Sequence, residues 1–193
     1  MNLANKLTLL RVILVPFFLL FMYIDVPFHY GIALIIFTAA SVTDALDGKI
    51  ARKNNLVTNF GKFLDPLADK VLVISALAVF VEIPEVGMSA VLLIIIIARE
   101  FMVSGLRLLA AGEGVVVAAG IWGKLKTAFT MTAIIGILAW LCFYYDFSFG
   151  IPERANDIAG IVFSVLLWIS AALTVISGCV YLKGYWHLID SDK

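Results

Sequence analysis

Apolar residues in this chain run in long blocks separated by short polar breaks. Six blocks can be drawn, at about 7–24, 31–51, 66–82, 88–110, 122–145 and 156–182. Each is near the roughly 20 residues that an α-helix needs to cross a hydrocarbon core of about 30 Å. Pro27, Pro84 and Pro152 fall in or beside three of the breaks, where helices are expected to end. The pattern predicts an all-α integral membrane fold with six transmembrane helices in one domain, 1–193. Met1 to Arg11 mixes Asn2, Asn5, Lys6, Thr8 and Arg11 with leucines, which predicts a short interfacial amphipathic helix before the first span. The two halves share no matching interrupted helices, so an inverted-repeat transporter is disfavoured.

Composition supports this assignment. The chain is 63% hydrophobic and 15% charged, with a mean hydropathy of +1.05. Soluble domains are nearer 45–50% apolar and about 25% charged. Net charge is zero, which gives no reason to expect nucleic acid as a partner. Cys142 and Cys179 both lie in apolar segments and are expected to be packed or lipid-facing thiols, with no disulfide or metal role. No cleavable signal peptide is expected, because the first apolar run lacks a small-residue cleavage site.

The basic residues set an orientation. With the N-terminus in the cytoplasm and six alternating spans, Lys6, Arg11, Lys49, Arg52, Lys53, Lys62, Arg107, Lys124, Lys126, Lys183 and Lys193 fall on the cytoplasmic side. Only Arg154 falls on the other, while Lys70 and Arg99 lie within spans. This asymmetry is a positive-inside signal. It predicts a multi-pass protein of the cell membrane with both termini in the cytoplasm.

Against this background the run from 44 to 69 stands out: Asp44-x2-Asp47-Gly48-x2-Ala51-Arg52-x8-Gly61-x3-Asp65-x3-Asp69. Ionisable groups in membrane segments are expensive and mark functional sites by default. Asp44 and Asp47 are three apart, and Asp65 and Asp69 four apart, so on helices each pair shares a face. The polar stretch Lys53–Phe60 reads as a turn that returns the chain antiparallel and brings the pairs together at the cytoplasmic face. Four carboxylates in one pocket need counter-charge, which hard divalent cations with oxygen ligands supply. Mg²⁺ suits carboxylates plus substrate phosphates, and Mn²⁺ can replace it. Two such ions could clamp the attacking and leaving oxygens of a phosphoryl displacement. Gly48 and Gly61 allow a ligand, or a neighbouring helix, to come close to the backbone. Arg52 offers planar recognition of phosphate.

These positions match the signature of the CDP-alcohol phosphatidyltransferase family, and the chain resembles that family over nearly its whole length. The resemblance implies six transmembrane helices, a homodimer and a di-metal site facing the cytoplasm. It also implies transfer of a phosphate-linked group from a CDP-linked donor to an alcohol, with release of CMP. By resemblance, Asp44, Asp47, Asp65 and Asp69 are metal ligands, and Asp69 is also the general base. Gly48, Ala51, Arg52 and Gly61 would line the cytidine-diphosphate site. Asn5 and Thr8 could touch the donor head group or cap the first helix.

Three further segments point to the acceptor. Asn5-x-Leu7-Thr8-x2-Arg11, Arg99-Glu100-x3-Ser104-Gly105-Leu106-Arg107 and Gly123-Lys124-x-Lys126-Thr127 are similar to segments of the phosphatidylglycerophosphate synthases within that family. A Gln often follows the last Thr by three, where this chain has Thr130. The similarity implies CDP-diacylglycerol as donor and glycerol 3-phosphate as acceptor. A dianionic acceptor needs fixed cations, and Arg99, Arg107, Lys124 and Lys126 are the candidates. Glu100 could pair with Arg99, although neighbours on a helix point in different directions. Lys70 could snorkel or balance the carboxylates. The alternatives are a different acceptor (serine, inositol phosphate or phosphatidylglycerol) or an Asp-based cation transporter. The transporter is disfavoured because its carboxylates should be spread across the membrane, and here they gather at one face.

Overall fold

The computed structural model describes the backbone of residues 3–54, 59–115, 120–147 and 150–186, and the side chains of 6–43, 67–115, 120–147 and 150–186. Six α-helices follow one another: α1 (Leu3–Tyr23), α2 (His29–Asn54), α3 (Asn59–Val81), α4 (Ala90–Gly112), α5 (Ile121–Leu141) and α6 (Glu153–Tyr185). Between α3 and α4 lies a 3₁₀ turn, Pro84–Val86, and α5 runs on into a π-helical turn, Cys142–Asp146. There is no strand among the described residues. By length and composition, α1 from Lys6, α5 with its π-turn, and α6 can each cross a membrane. Helix α4 has comparable length but carries Arg99, Glu100 and Arg107 within it.

The amphipathic start does not form a helix of its own. Residues 3–23 are one continuous helix, and two polar residues near its start, Thr8 and Arg11, face inward while Lys6 is exposed. Thr8 and Arg11 are buried, while Leu9, Leu10 and Ile13 are exposed. Arg11 Nε donates to the Ala40 carbonyl of α2 at 3.3 Å. A helix lying on the interface would turn its polar residues to water. Here Arg11 reaches a backbone acceptor inside the bundle, so the apolar face is left for lipid.

Helix α1 packs along both α2 and α3, while α4 and α5 each pack on α6. One core draws on every helix, with Phe18, Phe37, Leu77, Phe80, Ile96, Ile134, Leu138 and Leu167 all buried. Outside it, Ile35, Ile94, Leu108, Ile161 and Trp168 are each more than half exposed. Apolar surface on that scale marks contact with lipid. Together with the spanning helices, it makes this a multi-pass membrane protein. The two cysteines are free, Cys142 half-buried and Cys179 exposed.

One end of the bundle is fastened by short polar contacts. Asp146, in the π-turn, accepts from the Gly31 amide at 2.6 Å. That amide is among the first N–H groups of α2, which have no partner within the helix. Tyr23 donates to Glu82 at 2.9 Å, and Trp140 Nε1 donates to Asn156 at 2.9 Å. The 3₁₀ turn sits on α6 at Gly160, where a Cβ would collide with the Glu85 carbonyl oxygen.

Candidate active site

At the other end, three helices face a cavity of about 50 Å³. Helix α3 contributes Asp69, Lys70, Val73 and Ile74, α4 contributes Ile96 and Glu100, and α5 contributes Lys126, Thr127, Thr130 and Met131. Each set repeats at intervals of four, which places it along one side of its helix. The gap has a packing origin. Helices α4 and α5 are both seated on α6, and an ion pair between Glu100 and Lys126 joins them across the cavity wall.

Asp69 is exposed and belongs to the lining. Glu100 Oε1 accepts from Lys126 Nζ and also from Arg99 Nη1 at 3.0 Å. Lys126 and Arg99 are almost fully buried, so a shared carboxylate is what makes their charges tolerable there. Arg99 then turns away from the cavity. Its Nη2 donates to Ser177 at 2.5 Å, and its guanidinium lies 5.6 Å from the Tyr181 ring centre. Gly178 leaves room for this, since a Cβ there would stand 3.2 Å from Arg99 Cγ. Arg107 approaches the same ring at 5.6 Å and donates to the Tyr181 hydroxyl at 3.1 Å. That hydroxyl also accepts from the Gly120 amide at 3.0 Å. In the wall itself, Thr130 donates to the Lys126 carbonyl at 2.8 Å and meets Ser170 Oγ at 2.5 Å.

The residues singled out in the sequence are therefore not all gathered in one place. Asp69 and Lys126 line the cavity together. Arg99 and Arg107 meet at Tyr181, behind it, and Lys124 is exposed and outside the lining. Thr8 is buried in α1. Asp44, Asp47, Gly48, Ala51 and Arg52 lie on α2, Gly61 and Asp65 on α3, and Asn5 on α1; their side chains are outside the described residues. Tyr181 and Ser177 were missed. Their signal was available as a stripe in an apolar helix: Ser170, Thr174, Ser177 and Tyr181 recur every three or four residues, and all are buried.

A family model of CDP-alcohol phosphatidyltransferases matches residues 1–176. The chain belongs to the CDP-alcohol phosphatidyltransferase family. It is 41% identical to a CDP-diacylglycerol–glycerol-3-phosphate 3-phosphatidyltransferase of Bacillus subtilis, with 100% of this chain and 99% of the relative covered. Relatives bearing the same name in Haemophilus influenzae and Escherichia coli are 40% and 39% identical, each covering 94% of this chain and 92% and 93% of their own length. As a member of this family of membrane transferases in phospholipid biosynthesis, the chain has a natural use for a carboxylate and cations that share a cavity at one end of the bundle. Among the described residues no three His, Cys, Asp or Glu side chains gather as a metal site; Asp69 lines the cavity, and the side chains of Asp44, Asp47 and Asp65 lie outside the described residues.

Proposed function

We propose that this protein transfers the phosphatidyl group of CDP-diacylglycerol to the sn-1 hydroxyl of glycerol 3-phosphate, giving phosphatidylglycerol phosphate and CMP. The observation that carries this reading is likeness along the whole chain to relatives named for that activity, which are themselves covered almost end to end. Asp69 at a cavity that also holds lysines is the arrangement such chemistry requires.

Asp69 takes the proton of the acceptor hydroxyl. The freed oxygen bonds to the β-phosphorus of the donor. The bond from that phosphorus to the CMP oxygen breaks, and CMP departs with the electron pair. Asp44, Asp47, Asp65 and Asp69 would hold two Mg²⁺ (or Mn²⁺) ions. Bound there, the ions would neutralise charge on the donor's diphosphate as it is displaced. Gly48, Ala51, Arg52 and Gly61, with Asn5 and Thr8, would receive the cytidine diphosphate. Lys126 serves the acceptor phosphate from the wall, and Arg99, Arg107 and Lys124 supply positive potential around it. Much of the rate enhancement would come from holding the two substrates in line.

All six helices would span the bilayer, with both termini and the site facing the cytoplasm and the protein working as a homodimer. The asymmetry of basic residues supports that orientation. The test is CMP release by purified protein with CDP-diacylglycerol and Mg²⁺, run with glycerol 3-phosphate, serine, inositol 1-phosphate or no acceptor. Release that depends on glycerol 3-phosphate is expected. Release only with another alcohol would keep the role of the aspartates and overturn the acceptor.

A further inference from the structure

The cavity's positive charges are not equally available to a ligand. Two lysines line it, Lys70 from α3 and Lys126 from α5. Lys126 is buried and bound to Glu100, whose Oε1 is shared with Arg99. Arg107 is engaged with Tyr181, and Lys124 lies outside the lining. Lys70, by contrast, forms no hydrogen bond or ion pair with any described residue. It is half-buried and sits in the cavity wall directly after Asp69. A lysine that merely snorkels carries its ammonium to bulk water along an apolar stem. This one instead belongs to a wall that also holds two carboxylates, Asp69 and Glu100, and a second ammonium. Glu100 is taken up by Lys126 and Arg99, which leaves Lys70 as the uncommitted cation among the described cavity residues.

We propose that Lys70 is the specificity-determining residue for the acceptor, its ammonium binding the phosphate of a small phosphomonoester alcohol beside Asp69. The proposal rests on the reaction proposed above and adds a residue to it. An ammonium is a compact point charge with three donors, suited to a phosphate that must be held and then released with the product. Its place next to Asp69 in sequence, on the same cavity-facing part of α3, ties the position of the acceptor to the position of the base. Glu100 has the complementary role: by holding Lys126 and Arg99 in place it keeps their positive potential beside the phosphate and leaves the movable contact to Lys70.

The test measures binding and turnover separately. Glycerol 3-phosphate is titrated calorimetrically into purified, Mg²⁺-loaded wild type, Lys70→Met and Lys70→Arg in lipid nanodiscs, with glycerol and inorganic phosphate as parallel probes. Lys70→Met should weaken glycerol 3-phosphate and inorganic phosphate by about tenfold or more, the loss expected for a hydrogen bond to a charged group. It should leave the KM for CDP-diacylglycerol within about twofold and the melting temperature within about 2 °C. Lys70→Arg, which keeps the charge, should recover most of the affinity, and Lys70→Gln, which removes the charge but stays polar, takes the place of Lys70→Met should that variant melt early. In CMP-release assays the KM for glycerol 3-phosphate should rise while kcat changes far less. Wild-type affinity in Lys70→Met would overturn the proposal, as would equal weakening of CDP-diacylglycerol. Wild type that binds glycerol 3-phosphate through Lys70 but releases no CMP would overturn the proposed reaction and leave the Lys70 site standing. Wild type that binds no phosphate compound would overturn both.

Discussion

The two ends of this bundle treat polar groups in opposite ways. At one end Asp146, Glu82 and Asn156 are each met by a donor from another helix or helix end. These contacts join helix ends and leave little for a ligand. At the other end, α3, α4 and α5 stand around a cavity in which Asp69 is exposed and Lys70 forms no hydrogen bond or ion pair with a described residue. The Glu100–Lys126–Arg99 group there is closed on itself. Polar groups in an apolar chain are costly unless they are satisfied. Where the fold satisfies them they act as fasteners, and where it leaves them open the cost is consistent with use.

The comparison can be broken most sharply at Asp69. Asp69→Ala should lower CMP release by about 10³-fold or more, within the range expected for loss of a general base, with little change in melting. Wild-type turnover would remove the base assignment. Glu100→Gln comes next, because it leaves Lys126 and Arg99 buried without their counter-charge. A loss of about 3 kcal/mol in stability is expected, measured by denaturant titration in detergent. Pairing it with Lys126→Met should restore part of that loss. If Glu100→Gln melted like wild type, the closed group would not be the fastener described above.

Effects at the opposite end should be smaller and should leave turnover of the folded protein alone. Gly160→Ala pushes α6 from the 3₁₀ turn, and about 1–3 kcal/mol of destabilisation is expected for such overpacking. Unchanged melting would mean that the turn moves freely. Asp146→Ala removes the carboxylate from the first turn of α2 and should cost about 1 kcal/mol, as other helix caps do. A large fall in kcat with normal melting would show that this end serves catalysis as well as holding the helices.

Much of the fold was legible in the blocks of apolar residues. The block at 88–110 became α4 at Ala90–Gly112, and that at 156–182 became α6 at Glu153–Tyr185. The largest shift is at α3, which begins at Asn59 although its apolar block begins near 66. Hydropathy marks the part of a helix suited to the bilayer, while backbone hydrogen bonding continues through polar turns such as Gly61-Lys62. The start is amphipathic as its sequence indicates, but Thr8 and Arg11 on its polar side are buried in the bundle. The sequence separates the polar side from the apolar side, but it does not say whether water or another helix will meet the polar one. Ala40, the partner of Arg11, lies 29 residues away and offers only its backbone carbonyl, which leaves no side-chain signature.

The candidate site divides in the same manner. Spacing alone marked the aspartates, and it marked Arg99, Arg107, Lys124 and Lys126 as cations worth explaining. It did not separate those committed to protein partners from those left for a ligand. Glu100 is a candidate partner of Arg99 from the sequence even though helix neighbours point in different directions, and the long guanidinium arm does fold back to it; what the sequence does not announce is Lys126, arriving at the same carboxylate from 26 residues away. The sequence by itself determined the membrane class, the helix count, the family and the residues able to carry its chemistry, because these depend on composition and on spacing within single helices. Only the tertiary structure decided which charges are spent on the fold and which remain open. That depends on how α4 and α5 rotate and seat on α6, and an ion pair forms or fails over an ångström or two that no one helix controls.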